Sequence, residues 1–449
     1  MAWEKLTQPQ QRESMLPLVG MSLVWTGLVI AAARLINFDE PYLPFAIAGA
    51  FAFFLRGAPS RWEIYAWLSI SVIFVKLIHL SQIPFWVLRV ASGIALLGFG
   101  ALLLLGLRAV WSEREGRENA LALVVPALTL IFFILVSGSV LRFSGALHPQ
   151  TEDAWLYAFD GSLGFQPSFF VGTIMFKSLV LTRSALLTYL SLPFAMAVVC
   201  AWQIPLGARR ISWHTLTVLL IAGLAGWVLY NVVPGTGPLY AFGLDFPWHP
   251  LPYGDLWRFP LQKMAIPLNI PRNAMPSLHV GWAVLLVWNS RGFPRVLRAA
   301  LILYLLLTVV ATLGGGQHYL VDLVASLPFA LAVQAAASYT SPNMSRQVSA
   351  LTVGVAFTAL WLFMVRFGVA LALKSPAIPW TLIVTTTSIS IWLERRMSES
   401  GSNGSLTGNI PQLELCSQPS ADEKSSLPNR SRVSRARLSK GHSAGNSMP

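Results

Sequence analysis

Apolar runs of roughly 20 residues, the length that spans a bilayer, recur along this 449-residue chain with little charge inside them. Only 11% of the residues are Asp, Glu, Lys or Arg, against about 25% in soluble domains. Most of such a chain cannot face water on all sides. The pattern predicts an all-α fold, a polytopic membrane helix bundle of about twelve transmembrane helices. The runs fall near 15–33, 41–55, 62–80, 84–107, 120–141, 185–204, 214–233, 279–290, 297–314, 318–338, 348–372 and 377–393. The second and eighth are short, as broken or re-entrant helices are. The first reads as a retained signal anchor rather than a cleaved leader.

A net charge of +13 raises the question of nucleic acid, but the positions of the basic residues argue for topology instead. With the N-terminus inside, one set of alternate loops holds Arg56 and Arg61, then Arg108, Arg114 and Arg117, then Arg209 and Arg210. Arg291, Arg295, Arg346 and the tail continue the same side. That is the distribution of the positive-inside rule. It predicts an integral protein of a bacterial inner membrane or its equivalent, with both termini cytoplasmic and no nucleic-acid partner. Cys200 and Cys416 are too few for a disulfide framework or a thiolate metal site, and both read as unpaired thiols. From about Glu394 the chain is polar and Ser-rich, which predicts disorder.

Two external segments, 142–184 and 234–278, are too long for simple connectors. The first holds Asp153 and Asp160, and its stretch from Phe169 to Leu181 reads as an interfacial amphipathic helix. The density of Trp, Phe, Tyr and Pro in the second argues against disorder.

Between Asp255 and Glu394 stands one carboxylate, Asp322, with two histidines, His279 and His318. Ionisable groups inside spans are costly and point to function. Asp322 follows His318 by four residues, so a helix stacks them on one face. The carboxylate can then accept from one ring nitrogen and make the other more basic. His279 begins the neighbouring span on the same predicted surface. Gly314-Gly315-Gly316 before His318 and the helix start after Ser277 offer backbone amides to an anion.

Met275-Pro-Ser-Leu-His279-Val-Gly-Trp282 and Gln317-His318-Tyr-Leu-Val-Asp322 resemble two signature motifs of the type 2 phosphatidic acid phosphatase superfamily. The wording is most like the inositol phosphorylceramide synthase (inositolphosphotransferase) branch. A weaker similarity runs through Asn231 to Pro238 and Tyr157-Ala-Phe-Asp160, so that roughly residues 140–340 are covered. The resemblance implies that His318 attacks phosphorus, Asp322 orients it and His279 protonates the departing oxygen, without metal or other cofactor. It further implies a membrane lipid or polyprenyl phosphate as substrate, and water or a polyol or other alcohol as acceptor. The site would face the periplasm.

The superfamily's Ser-Arg pair, expected seven residues before the nucleophile, is replaced by Ala311 and Thr312. Its Lys-x6-Arg-Pro motif is only imitated by Lys263 and Arg272-Asn273. Arg272, Lys263, Arg258 and Arg142 are therefore the candidate phosphate cations, with Ser277 as a further substrate contact. On this reading residues 1–140 are transmembrane helices of unknown role and 141–340 the catalytic membrane domain. Residues 341–393 are two C-terminal helices, and 394–449 a basic cytoplasmic tail.

Single residues weigh differently. Lys76, Arg89 and Arg366 inside apolar runs favour snorkelling or interhelical pairing over catalysis. His148 and His249 have nothing near them that specifies chemistry. Two other functions fit the His-His-Asp set. One is a transporter or lipid-binding protein with a His/Asp proton relay, which predicts related halves that the sequence lacks. The other is a metal enzyme using these side chains as ligands.

Overall fold

The computed structural model describes residues 40–77, 86–204, 214–338 and 344–405. The run at 15–33, the basic residues Arg209 and Arg210, and the tail beyond Ser405 lie outside the described residues. So do Cys416 and the side chains of Lys76 and Arg89.

The first helices are α1 (Leu43–Arg56), α2 (Arg61–Leu77), α3 (Trp86–Trp111) and α4 (Arg114–Leu147). A short α5 (Asp153–Gly161) follows, then α6 (Pro167–Phe176), α7 (Leu179–Leu190) and α8 (Leu192–Gln203). α9 (His214–Leu229) leads into a long loop that holds α10 (Pro238–Phe242). Beyond it come α11 (Leu278–Asn289), α12 (Arg295–Gly314) and α13 (Leu320–Ala337). The last are α14 (Met344–Phe367), α15 (Val369–Leu373) and α16 (Ala377–Ser405). The only strands among the described residues are β1 (Gln150–Thr151) and β2 (Met264–Ala265), antiparallel with Gln150 opposite Ala265. They join the two long segments 142–184 and 234–278.

Prolines explain several boundaries. α1, α6, α8 and α10 each carry one in the first turn, where a missing N–H is no loss. Pro193 thus starts a new helix where hydropathy predicted one span over 185–204. The expected interfacial helix at Phe169–Leu181 is divided as well. α6 ends at Phe176 and α7 departs at 119°, with Ser178 Oγ capping it by accepting from the Leu181 amide at 3.3 Å.

Five described helices are long and apolar enough to cross a membrane, or up to six if the bent α6–α7 pair counts as one span. Of the others that hydropathy had counted, α1, α8, α9 and α11 are apolar but only 12 to 16 residues long. A hydropathy window registers composition and is blind to such breaks. The polar tail also differs from expectation, because α16 continues from the last span to Ser405. Glu394, where disorder was expected to begin, is buried and ion-paired with Arg291.

α1 lies against α3, α4 and α8. The contact is close because Gly49 meets Ala197 and Gly98 meets the backbone at Ile47, where a side chain would collide. A second group packs α11 on α9, α12 and α13, and lays α14 along α13. One large apolar core, including Phe53, Phe133, Leu285 and Ala330, runs through both groups. A second cluster of Leu156, Tyr157, Phe169, Phe246, Met275 and Tyr319 lies under the external segments. Of the aromatics in 234–278, Phe246 is buried in this cluster and Phe242, Tyr253 and Phe259 pack against it, while Trp248 and Trp257 are exposed.

Chain direction sorts the two ends of this bundle. Tyr42 at the start of α1 touches His279 at the start of α11, while His318 follows the end of α12. Arg56 at the end of α1, Arg291 beyond α11 and Arg295 at the start of α12 therefore belong to the opposite end.

Candidate active site

His318 sits between α12 and α13, fully buried. Its amide and that of Gln317 reach back to the Thr312 carbonyl at 3.3 and 3.1 Å, and its own carbonyl accepts from Ser168 Oγ at 3.0 Å. The turn needs glycine. Gly316 has φ +65°, and Gly237, at φ +95°, lies so close to the Gln317 carbonyl that any side chain there would collide with it. The Leu239 amide donates to the Gly316 carbonyl at 2.9 Å. The Pro234–Pro238 loop is thereby laid on the turn that carries His318.

The histidine ring is oriented differently from expectation. Nδ1 is 2.8 Å from the Ala274 carbonyl oxygen and 3.6 Å from Asp322 Oδ2. A carbonyl can only accept, so Nδ1 carries a proton, and in the neutral ring Nε2 is the nitrogen with the lone pair. Asp322 Oδ2 instead accepts from the Tyr319 amide at 2.8 Å. A residue in the third helical position folds its carboxylate back over the N-cap amide, and helical stacking alone does not foresee that competitor. The other oxygen, Oδ1, is buried without a hydrogen-bond partner.

His279 occupies the first turn of α11. The ring centroids of His279 and His318 are 6.5 Å apart, inclined at 58°. Tyr189 stacks on His279 at 3.8 Å and 12°, and Tyr42 leans on it at 5.5 Å and 46°. The two helix starts that carry the histidines are tied directly. The Ser277 amide donates to the Asp322 carbonyl at 3.1 Å, and Ser326 Oγ bridges the Ser277 and Asp322 carbonyls at 2.7 and 2.8 Å. Ser277 Oγ is buried and has no partner.

Two acids that sequence reasoning left without a role hold this region. Asp160 accepts from the Leu320 and Val321 amides at 2.6 and 3.0 Å, capping α13 from another helix. Asp153 accepts from the Thr236 amide and hydroxyl, both at 3.1 Å, from the Gly237 amide at 2.9 Å and from Tyr319 Oη at 3.0 Å. The signal was their spacing. Seven residues apart, they share one face of α5, and a membrane chain has few acids to spare. Burial raises both carboxyls, Asp160 to about 8, against the amide hydrogen bonds that lower them.

The expected cations are placed less uniformly. Arg272 is fully buried and its guanidinium is taken up by backbone. Nε donates to the His148 carbonyl at 2.8 Å, Nη1 to Ile270 at 2.6 Å and Pro267 at 3.2 Å, and Nη2 to Ile266 at 2.9 Å. Four of its five N–H groups are therefore committed, and desolvation lowers its pKa. It shapes the loop that presents the Ala274 carbonyl to His318. Arg142 pairs with Glu40 at 3.0 Å. Arg258 and Lys263 are exposed on the 253–265 loop, and the structure does not bring them to the histidines.

Of the remaining residues, Arg366 ion-pairs with buried Glu152 and lies over the Trp155 ring at 5.6 Å, the interhelical pairing that sequence favoured. His148 Nε2 meets Asn231 Oδ1 at 2.8 Å, and exposed His249 pairs with Asp245 at 3.5 Å. Cys200 is a buried free thiol. Among the described residues no cluster of three His, Cys, Asp or Glu side chains is disposed to hold a metal ion.

The described residues form a helical bundle of membrane type with two buried histidines close together at one end. Residues 154–336 match the family model described as the PAP2 superfamily, a segment that contains Asp160, Ser277, His279, His318 and Asp322. The match covers less than half of the 449-residue chain, and over that segment the chain is similar to this superfamily. No curated protein and no solved structure matches the chain.

Proposed function

We propose that the protein cleaves or transfers the phosphate group of a lipid or polyprenyl phosphate through a phosphohistidine on His318. The observation that carries this reading is the hydrogen bond from His318 Nδ1 to Ala274, which leaves Nε2 as the unprotonated nitrogen. Nε2 attacks phosphorus and forms the P–N bond as the P–O bond to the leaving group breaks. His279, across the gap, gives its proton to the departing oxygen. Water or an alcohol then attacks phosphorus, its proton passes to His279, and the P–N bond breaks to return the lone pair to Nε2. These steps need no metal.

Ser277 Oγ and the first-turn amides of α11 are the groups best disposed to meet phosphate oxygens. Asp322 favours the positive charge that builds on His318 during attack. The separation of the histidines from Arg56, Arg291 and Arg295 supports a site on the periplasmic face. The motif wording favours an alcohol acceptor, in the manner of an inositolphosphotransferase. The test is incubation of the purified enzyme with labelled phosphatidic acid or polyprenyl phosphate, with and without a polyol. A phosphorylated polyol is expected; free phosphate as the sole product excludes transfer under those conditions.

A further inference from the structure

His318 and His279 are held in different ways. A hydrogen bond fixes the first, but among the described residues none holds either ring nitrogen of the second. The orientation of His279 therefore rests on ring contacts, and these come from two parts of the chain. Tyr189, inside the segment that matches the family model, covers one face at 3.8 Å. Tyr42 leans on His279 at 5.5 Å and on Tyr189 at 6.0 Å. It belongs to the N-terminal helices, outside the matched segment.

Tyr42 is itself anchored. The Glu40 carbonyl accepts from the Leu43 amide at 3.1 Å, starting α1. The Glu40 side chain, 8% exposed, pairs with Arg142 at the end of α4. It fits there only because residue 138 is glycine, since a side chain at that position would overlap the carboxylate. The pair thus pins the start of α1 to α4 and sets Tyr42 against the histidine. A general acid must hold its nitrogen within hydrogen-bond reach of the leaving oxygen, and small displacements of a reacting group are costly.

We infer that Tyr42 is a positioning residue for His279, so that the N-terminal helices complete a site whose other parts lie in the matched segment. The inference rests on the reading of His279 as the acid that protonates the leaving group. It predicts a dependence on leaving group that a general loss of structure does not produce. An alkoxide, as from phosphatidic acid, leaves only with a proton; 4-nitrophenolate leaves without one.

The experiment uses the full-length enzyme in mixed micelles with phosphatidic acid and with 4-nitrophenyl phosphate. Tyr42→Ala is expected to lower kcat/KM, which reports the half-reaction that expels the leaving group and not the later attack by water, by about 10- to 100-fold on phosphatidic acid, part of what a general acid contributes. On 4-nitrophenyl phosphate it is expected to lose less than about 3-fold, since protonation contributes little there. Tyr42→Phe, which keeps the ring, should restore both rates. Tyr42→Leu, which keeps apolar volume without a ring face, carries the same test should the alanine variant not fold. Equal losses on both esters, no loss on either, or a Tyr42→Phe enzyme as impaired as Tyr42→Ala each overturn the positioning role. Activity in His318→Ala, or a wild-type enzyme inert on both esters, overturns the underlying reading instead.

Discussion

His318 Nδ1 and Asp322 Oδ2 lie 3.6 Å apart, yet the hydrogen bond of each goes elsewhere, to the Ala274 carbonyl and the Tyr319 amide respectively. In the proposed mechanism the carboxylate would therefore act on the imidazole through charge, while a backbone carbonyl holds Nδ1 as a donor.

The two residues should fail differently when altered. His318→Ala removes the proposed nucleophile and is expected to abolish turnover in a protein that still inserts and folds. Asp322→Asn keeps an oxygen to cap Tyr319 but loses the charge, and should lower kcat by roughly 10²- to 10⁴-fold with little change in thermal midpoint. Asp322→Ala loses the cap as well and should cost about a further 1 kcal/mol of stability. Steady-state rates and thermal unfolding in detergent measure both. Near-normal activity in purified Asp322→Asn would remove the carboxylate from the mechanism.

How much of this the sequence carried depended on the kind of partner each residue has. His279, His318 and Asp322 were legible because ionisable side chains are rare in apolar runs and their spacing fixes a shared face. Asp160 and Asp153 were not, because their partners are mostly backbone amides of distant segments, and an amide has no letter in a sequence. Arg272 was legible as a cation near the site, but phosphate oxygens and backbone carbonyls attract a guanidinium equally well. The expected span over 185–204 is divided at Pro193 and the expected interfacial helix over 169–181 at Ser178, breaks that continuous apolar composition hides. Tyr42 lay among many aromatics of a membrane chain, and only packing against His279 distinguishes it.

Arg272 supplies the second prediction. Lysine cannot reproduce a planar fork that serves four carbonyls. Arg272→Lys should therefore destabilise the protein by roughly 3 kcal/mol or more, given about 1.5–3 kcal/mol for each hydrogen bond to a charged group. It should also lower kcat, because the loop it holds presents the Ala274 carbonyl to His318. Thermal unfolding and KM are the readouts. Unchanged stability with a raised KM would return Arg272 to the role of phosphate clamp.

Gly237 tests the seat of the His318 turn. At φ +95° and against the Gln317 carbonyl, alanine meets both backbone strain and a collision. Strain at such positions costs about 1–3 kcal/mol, and relief has to come from moving the Gly316–His318 turn. Gly237→Ala should lower both the thermal midpoint and kcat. Gly243→Ala, also at positive φ but with open space around it, is the control and should leave kcat near wild type. Equal activity in both variants would show that the collision, as distinct from the strain, has no effect on the site.

Asp160 gives stability a direction with pH. Burial pushes its carboxyl up to about 8 in the folded protein, against about 3.9 in an unfolded chain. Between those values the unfolded state has released a proton that the folded state keeps. Stability therefore falls as pH rises, by up to about 1.4 kcal/mol per unit from this group, and levels off once the folded carboxyl has also ionised. Wild-type protein in detergent should lose thermal midpoint steadily from pH 5 to pH 8. Asp160→Asn cannot titrate and keeps an acceptor for one of the two α13 amides, so its profile should be flatter. At pH 5, where the folded carboxyl is still protonated, the two midpoints should agree within several degrees, the shift of about 1 kcal/mol. Parallel profiles for the two proteins would mean that Asp160 is already ionised in the folded state and holds the helix start as a charged cap.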